Sequence, residues 1–374
     1  MPGSPERHPD AARLKWELAG AGGIGAGVAE SDFGTAPAVI DAVADAVARH
    51  QLGYPPIGLV LETLEATARW HADAYGWAVR PGDVRPVPDI MRALHVAIDR
   101  FSPPGSGVIV PVPAYPSFFA MPGVLDRPLL TVPAGDLDAL DAAFRRGGHT
   151  LVLCHPHTPL GLALGRDDLR AVAEVVTRRG GRVFADEVHG PLVYGPGRHV
   201  PYASVCDEAA GHTITATSAS KAWNLPALRC AQVVLSNRDD RRAWDGLHHL
   251  VTDVPSPLGL VATIAAYDDG RPWLDELRAT LDRNRRLLAG ELARRLPGVG
   301  HTPPAATFLA WLDFAAVVEP GTDVAARLAA EAKVTALGGA EMGVAPTFAR
   351  INFATADDVL VDRVDRIADV VGGR

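Results

Sequence analysis

Lysine is almost missing from this 374-residue chain, which carries three: Lys15, Lys221 and Lys333. Arginine supplies nearly all the positive charge. An arginine stays protonated in any protein setting, whereas a lysine amine can be tuned into a nucleophile or a base. A lysine here is a choice of chemistry more than of charge. Cysteine is scarce too. Cys154, Cys206 and Cys230 are odd in number and show no CxxC spacing. That argues against a disulfide frame or a zinc site and leaves them as small buried hydrophobes. No apolar run is long enough to span a bilayer, and the opening MPGSPERHPDAARLKWEL lacks the apolar core of a secretory leader. A basic excess is also absent. The net charge of −8 speaks against a surface that neutralises nucleic-acid phosphates. The expectation is a cytoplasmic protein with no nucleic-acid or membrane partner and no metal.

What is present is the composition of a globular chain, 48% hydrophobic and 21% charged, long enough for one large or two modest domains. After a Pro-rich, charged start to about residue 14, PAVIDAVADAVARH and LVLETLEATARWHADAYG show the 3–4 spacing of amphipathic helices, with GYPP breaking the chain between them. From about Val84, apolar runs alternate with helical stretches. VRPVP leads into IMRALHVAIDRF, and GVIVPVPAY, TLVLCHPH, RVFADEVH, HTITATSAS and CAQVVLSN read as further strands. Such alternation implies an α/β fold, a mainly parallel sheet with helices on both faces. Beyond about Gly270 a long arginine-rich helix leads to FLAWLDF and ARINFAT, which read as strands of a second, smaller α+β unit.

In open parallel sheets, ligands sit beyond the carboxyl ends of the strands. Tyr115, Thr158, Asp186, His189, Ser218 and Lys221 all fall at those ends, which points to one site. Each has a plainer reading: Lys221 as a loop lysine with its head in water, Asp186 as a strand-end salt bridge or helix cap, Tyr115 as a core aromatic. His155 and His157 lack a nearby carboxylate and do not make a convincing metal pair.

Together, VAESDF, ADEVHGPLVY, SASKAWNLPALR and ARINFAT resemble the fold-type I pyridoxal-phosphate (PLP) enzymes of the class I/II aminotransferase group, and most of all its MalY/PatB-type carbon–sulfur β-lyases. The resemblance runs from about Lys15 to the C-terminus. It implies the PLP-dependent transferase fold, divided into a flexible 1–14, a segment 15–45 joining the small domain, a large cofactor-binding domain 46–270 and a small domain 271–374. It implies that Lys221 forms the Schiff base to the cofactor and serves as base at the substrate Cα. Asp186 then pairs with the pyridine nitrogen, Tyr115 stacks on the ring, and His189 and Thr158 face its phenolic oxygen. Asp89, Ile90 and Met91 cup the phosphate with Ser218 and Arg229, while Arg350 takes the substrate α-carboxylate, flanked by the backbone near Ala29. Tyr54 of GYPP matches a tyrosine that reaches the phosphate site of a second subunit, which implies a homodimer with shared sites; a turn tyrosine without that role is the alternative.

Two positions depart from the group's pattern. Asp89 stands where a glycine or small residue is usual, so its carboxylate has to turn away, as a helix cap does. HPHTPLG replaces the usual NPxNPTG, which puts the shorter Thr158 where an asparagine amide is expected. The implied activity is cleavage of cystathionine or another cysteine S-conjugate. Transamination of an amino acid, or a specialised decarboxylation or oxidative deamination, is the alternative.

Overall fold

The computed structural model describes residues 13–372. The flexible start expected for residues 1–14 lies almost wholly outside them.

Seven strands form the larger sheet: β1 (Val84–Val87), β2 (Gly107–Val112), β3 (Leu129–Pro133), β4 (Gly148–Cys154), β5 (Arg182–Asp186), β6 (Thr213–Thr217) and β7 (Ala231–Leu235). Their spatial order is β1-β7-β6-β5-β4-β2-β3. The pairs β2–β3, β2–β4, β4–β5 and β5–β6 are parallel, whereas β7 runs antiparallel to both β6 and β1. Six strands, all but β7, therefore deliver their carboxyl ends to one edge. β6 and β7 are buried along their whole length, as expected of strands covered on both faces. β3 was not legible in the sequence. It is an edge strand with Val132 alone buried, so it shows no apolar run.

The second sheet joins β8 (Gly300–His301), β9 (Leu309–Asp313), β10 (Leu337–Gly338) and β11 (Phe348–Asn352) in the antiparallel order β10-β11-β9-β8. The N-terminal segment lies along it: Ile24 N donates to Lys333 O, and Asn352 N donates to Ala26 O. The 25-residue helix Arg271–Arg295 links the two sheets, burying Leu274, Leu277, Leu281, Leu288 and Leu292 at the 3–4 spacing of one helix face. One apolar cluster continues from Trp70 and Trp223 through this helix to Phe308, Leu312 and Ile351.

Candidate functional site

The shared strand edge opens on a cavity of about 190 Å³. Lys221, Asp186, His189, Tyr115, Thr158, Ser218, Arg229, Asp89, Ile90, Met91, Ala29 and Arg350 all line it. Of the residues expected to form the site, Tyr54 stands elsewhere. Its side chain is 99% exposed on the turn before helix Ile57–Tyr75.

Lys221 follows β6 in the loop that returns to β7. Its amine donates to Ala29 O at 3.2 Å. Burial lowers its pKa to about 8, and the Arg350 charge adds to the fall while Asp186 and Glu30 oppose it. A loop lysine with its head in water would show neither the bond nor the shift. Asp186, the last residue of β5, makes no ion pair among the described residues. Its Oδ1 accepts from Val188 N at 3.1 Å, and burial raises its pKa to about 6 against the pull of that bond and of Lys221. It remains largely a carboxylate at neutral pH, facing a cavity that can accept a cationic ring nitrogen.

Arg350 lies on β11 and is 4% exposed. Its Nη2 donates to Gly27 O at 2.8 Å, and its Nε is buried without a partner. Burial lowers its pKa to about 10, so it stays cationic, with hydrogen-bonding capacity to spare for a carboxylate. Two residues on, Asn352 donates to Val28 O and Glu30 O, both at 2.7 Å, and accepts from Ala354 N. That commits Asn352 to holding the 28–30 segment beside the cavity.

Burial, helped by the charges of Lys221 and Arg350, lowers the His189 pKa to about 3, which keeps the imidazole neutral. Its Nδ1 and the Thr158 hydroxyl are both buried without a partner. Tyr115 is 40% exposed and packs edge-on to Phe118 at 5.6 Å, so it is a wall of the cavity and not a core aromatic. Glu187 faces away, bonded to His199 at 2.8 Å and to Tyr202 N at 2.8 Å. His155 contacts Val200 O, and His157 lines a separate apolar cavity.

The other end of the cavity is built for an anion. Asp89 caps helix Ile90–Phe101, its Oδ1 accepting from Arg92 N at 2.8 Å. The first-turn N–H groups of Ile90 and Met91 donate to no acceptor among the described residues and carry the positive end of the helix dipole. Ser218 Oγ and the Arg229 guanidinium complete the group. Arg229 has φ +47°, a left-handed backbone that non-glycine residues rarely hold outside functional or tightly constrained turns.

Sequence reasoning missed the apolar walls: Phe118, Val188 and Leu309. Phe118 and Leu309 sit in apolar runs and look like core residues from their neighbours, and Val188 is a lone valine between polar residues. Leu309, at the start of β9, shows that both sheets contribute to the site.

The Aminotransferase class I and II family model matches residues 23–367. A cystathionine β-lyase of Corynebacterium glutamicum is 40% identical over 92% of this chain and 92% of its own length. The cystathionine β-lyase PatB of Bacillus subtilis is 29% identical, covering 91% of this chain and 90% of its own. A crystal structure from Corynebacterium diphtheriae, assigned as a PLP-dependent β-cystathionase, is similar with a TM-score of 0.93 and 40% identity, covering 97% of this chain and 96% of its own. With its strand-end lysine, acid and arginine in one cavity, this chain belongs to the class I and II aminotransferase family.

Proposed function

We propose that the chain is a PLP-dependent carbon–sulfur β-lyase, converting cystathionine or another cysteine S-conjugate, with water, to a thiol, pyruvate and ammonia. The observation that carries this reading is the convergence of the Lys221 amine, the buried Asp186 carboxylate and the buried Arg350 guanidinium on a single cavity. The residues present fit the cofactor. The Ile90 and Met91 N–H groups, with Ser218 and Arg229, suit its phosphate. Asp186 suits the ring nitrogen, and Tyr115 a ring face. The unpartnered Thr158 hydroxyl and His189 Nδ1 suit the phenolic oxygen. When bound, the cofactor supplies an aldehyde for the substrate amine and a cationic ring that takes up the electron pair of the Cα–H bond.

The chain's own residues do the rest. Arg350 holds the α-carboxylate in a fork whose strand keeps it rigid. Lys221 takes the Cα proton, and a pKa near 8 leaves a useful share of free amine at neutral pH. The electron pair released from Cα expels the sulfur from Cβ as a thiol, and the three-carbon remnant takes up water to give pyruvate and ammonia. The test is incubation with cystathionine and measurement of pyruvate. Transamination uses the same residues and gives the family its name. Stoichiometric conversion of the cofactor to its amine form without pyruvate would select it instead. Borohydride reduction of the PLP-loaded protein should fix the label on Lys221; a label elsewhere removes the reading.

The same reading makes the active unit a homodimer. Ile40, Leu52, Tyr54, Ile57 and Leu61 present more than half of each side chain to solvent on two helices and the turn between them, an apolar face that supports burial against a second copy. Tyr54 is then the residue offered to the neighbouring phosphate site. An active monomer in sedimentation would remove this part. No described helix is long and apolar enough to cross a membrane, and three free cysteines accord with placement in the reducing cytoplasm.

A further inference from the structure

The Arg229 guanidinium already has an anionic partner inside the chain. Its Nη2 donates to Asp89 Oδ2, while Asp89 Oδ1 accepts from Arg92 N. Asp89 is thus both a helix cap and a counter-ion, one carboxyl oxygen for each role. Ser218 is similarly engaged. Its hydroxyl donates to Cys230 O at 2.6 Å and accepts from Ser220 N at 3.0 Å. Among the described residues the Ile90 and Met91 N–H groups at the anion end of the cavity have no internal acceptor, while the hydrogen bond that the Arg229 guanidinium makes goes to Asp89.

The charges show what this does. A helix N-terminus offers roughly half a positive charge, and Arg229 one more. Asp89 subtracts one at the helix's first turn. A phosphate seated there must share the guanidinium with a fixed carboxylate and also bear that carboxylate's repulsion. Serine and asparagine cap a helix about as well as aspartate, so the charge at residue 89 is not required by the fold.

Resting on the PLP reading above, we propose that Asp89 is an internal competitor for the cofactor phosphate. It is a positioning residue that acts through Arg229, and it sets this protein's cofactor affinity below what the same cradle would reach with an uncharged cap. The competition concerns the phosphate alone, since Lys221, Asp186 and Tyr115 at the ring end do not contact the pair.

The experiment is an equilibrium titration of the cofactor-stripped full chain with PLP and, separately, with pyridoxal, followed by tryptophan fluorescence. Wild type is compared with Asp89→Asn and Asp89→Ser. Both variants keep the cap, and thermal midpoints confirm that they fold. Both should bind PLP about tenfold more tightly, with pyridoxal binding unchanged. Equal or weaker PLP binding by both variants overturns the proposal, as does an equal gain for pyridoxal, which would make the effect one of general structure. Failure of wild type to take up PLP at all would instead remove the functional reading.

Discussion

Two of the three lysines have buried amines, and the surroundings of Lys15 and Lys221 repay comparison. Burial lowers both to about pKa 8. Both amines bond carbonyls of one short segment, Lys15 to Glu30 O at 3.4 Å and Lys221 to Ala29 O at 3.2 Å. There the likeness ends. Lys15 is 0% exposed and bonded to Asp32 Oδ2 at 2.9 Å, with the Arg363 charge nearby. Lys221 has no direct carboxylate partner among the described residues and lines the cavity. A lowered pKa thus marks a desolvated amine and nothing more specific. Room for a reacting atom, and the absence of an ion pair to break among the described residues, separate the lysine proposed to react from the structural one.

Substitution should split the pair most widely. Lys221→Ala removes the proposed base and cofactor anchor but no ion pair. Turnover should fall by about 10⁴-fold or more, with the thermal midpoint of the cofactor-stripped protein moving by only about 5 °C. Pyruvate release and calorimetry measure the two. Near-normal turnover would show that the chemistry lies elsewhere.

Lys15→Met should do the reverse. It strands Asp32, 1% exposed, without its cation, and breaking a buried pair from one side costs about 3–5 kcal/mol. Turnover per folded molecule should stay within about threefold, since Lys15 touches neither cavity nor ligand. Adding Asp32→Asn, which can still accept from Trp16 Nε1, should recover most of the stability seen in denaturant unfolding. A Lys15→Met protein that kept its stability but lost its turnover would break the comparison.

The sequence showed one of these lysines and hid the other. Lys221 was legible because its companions are marked locally: Ser218 and Arg229 lie in the same stretch, and Asp186 ends the adjacent strand. Strand ends converge on one edge in any parallel sheet, so Thr158 and Tyr115 could be placed before a coordinate was seen. Lys15 stands in the stretch RLKWEL, where no motif singles it out. Its burial depends on contacts with Asp32 and with Ala354, the latter made across nearly the whole chain, and no local pattern encodes them. Asp89 fell between the two cases. Its cap role follows from the helix beginning after it, but its bond to Arg229 needs the antiparallel return of β7 beside β1, a pairing the apolar runs do not specify.

A smaller effect sharpens the contrast without any substitution. An amine reagent such as trinitrobenzenesulfonate attacks only the unprotonated form. With a pKa near 8, Lys221 is about half free amine at pH 8, whereas an ordinary lysine near 10.4 is less than about 1% free. In the cofactor-stripped protein, Lys221 should therefore label early, its rate rising as pH climbs toward about 8 and levelling above it. Lys15 has the same lowered value and so a similar share of free amine, yet it should stay unlabelled until the chain opens, because the reagent cannot reach it. Peptide mass mapping separates the two sites. If both label at similar rates in the folded protein, access is not what distinguishes them, and the reactivity assigned to Lys221 has to come from the residues around it.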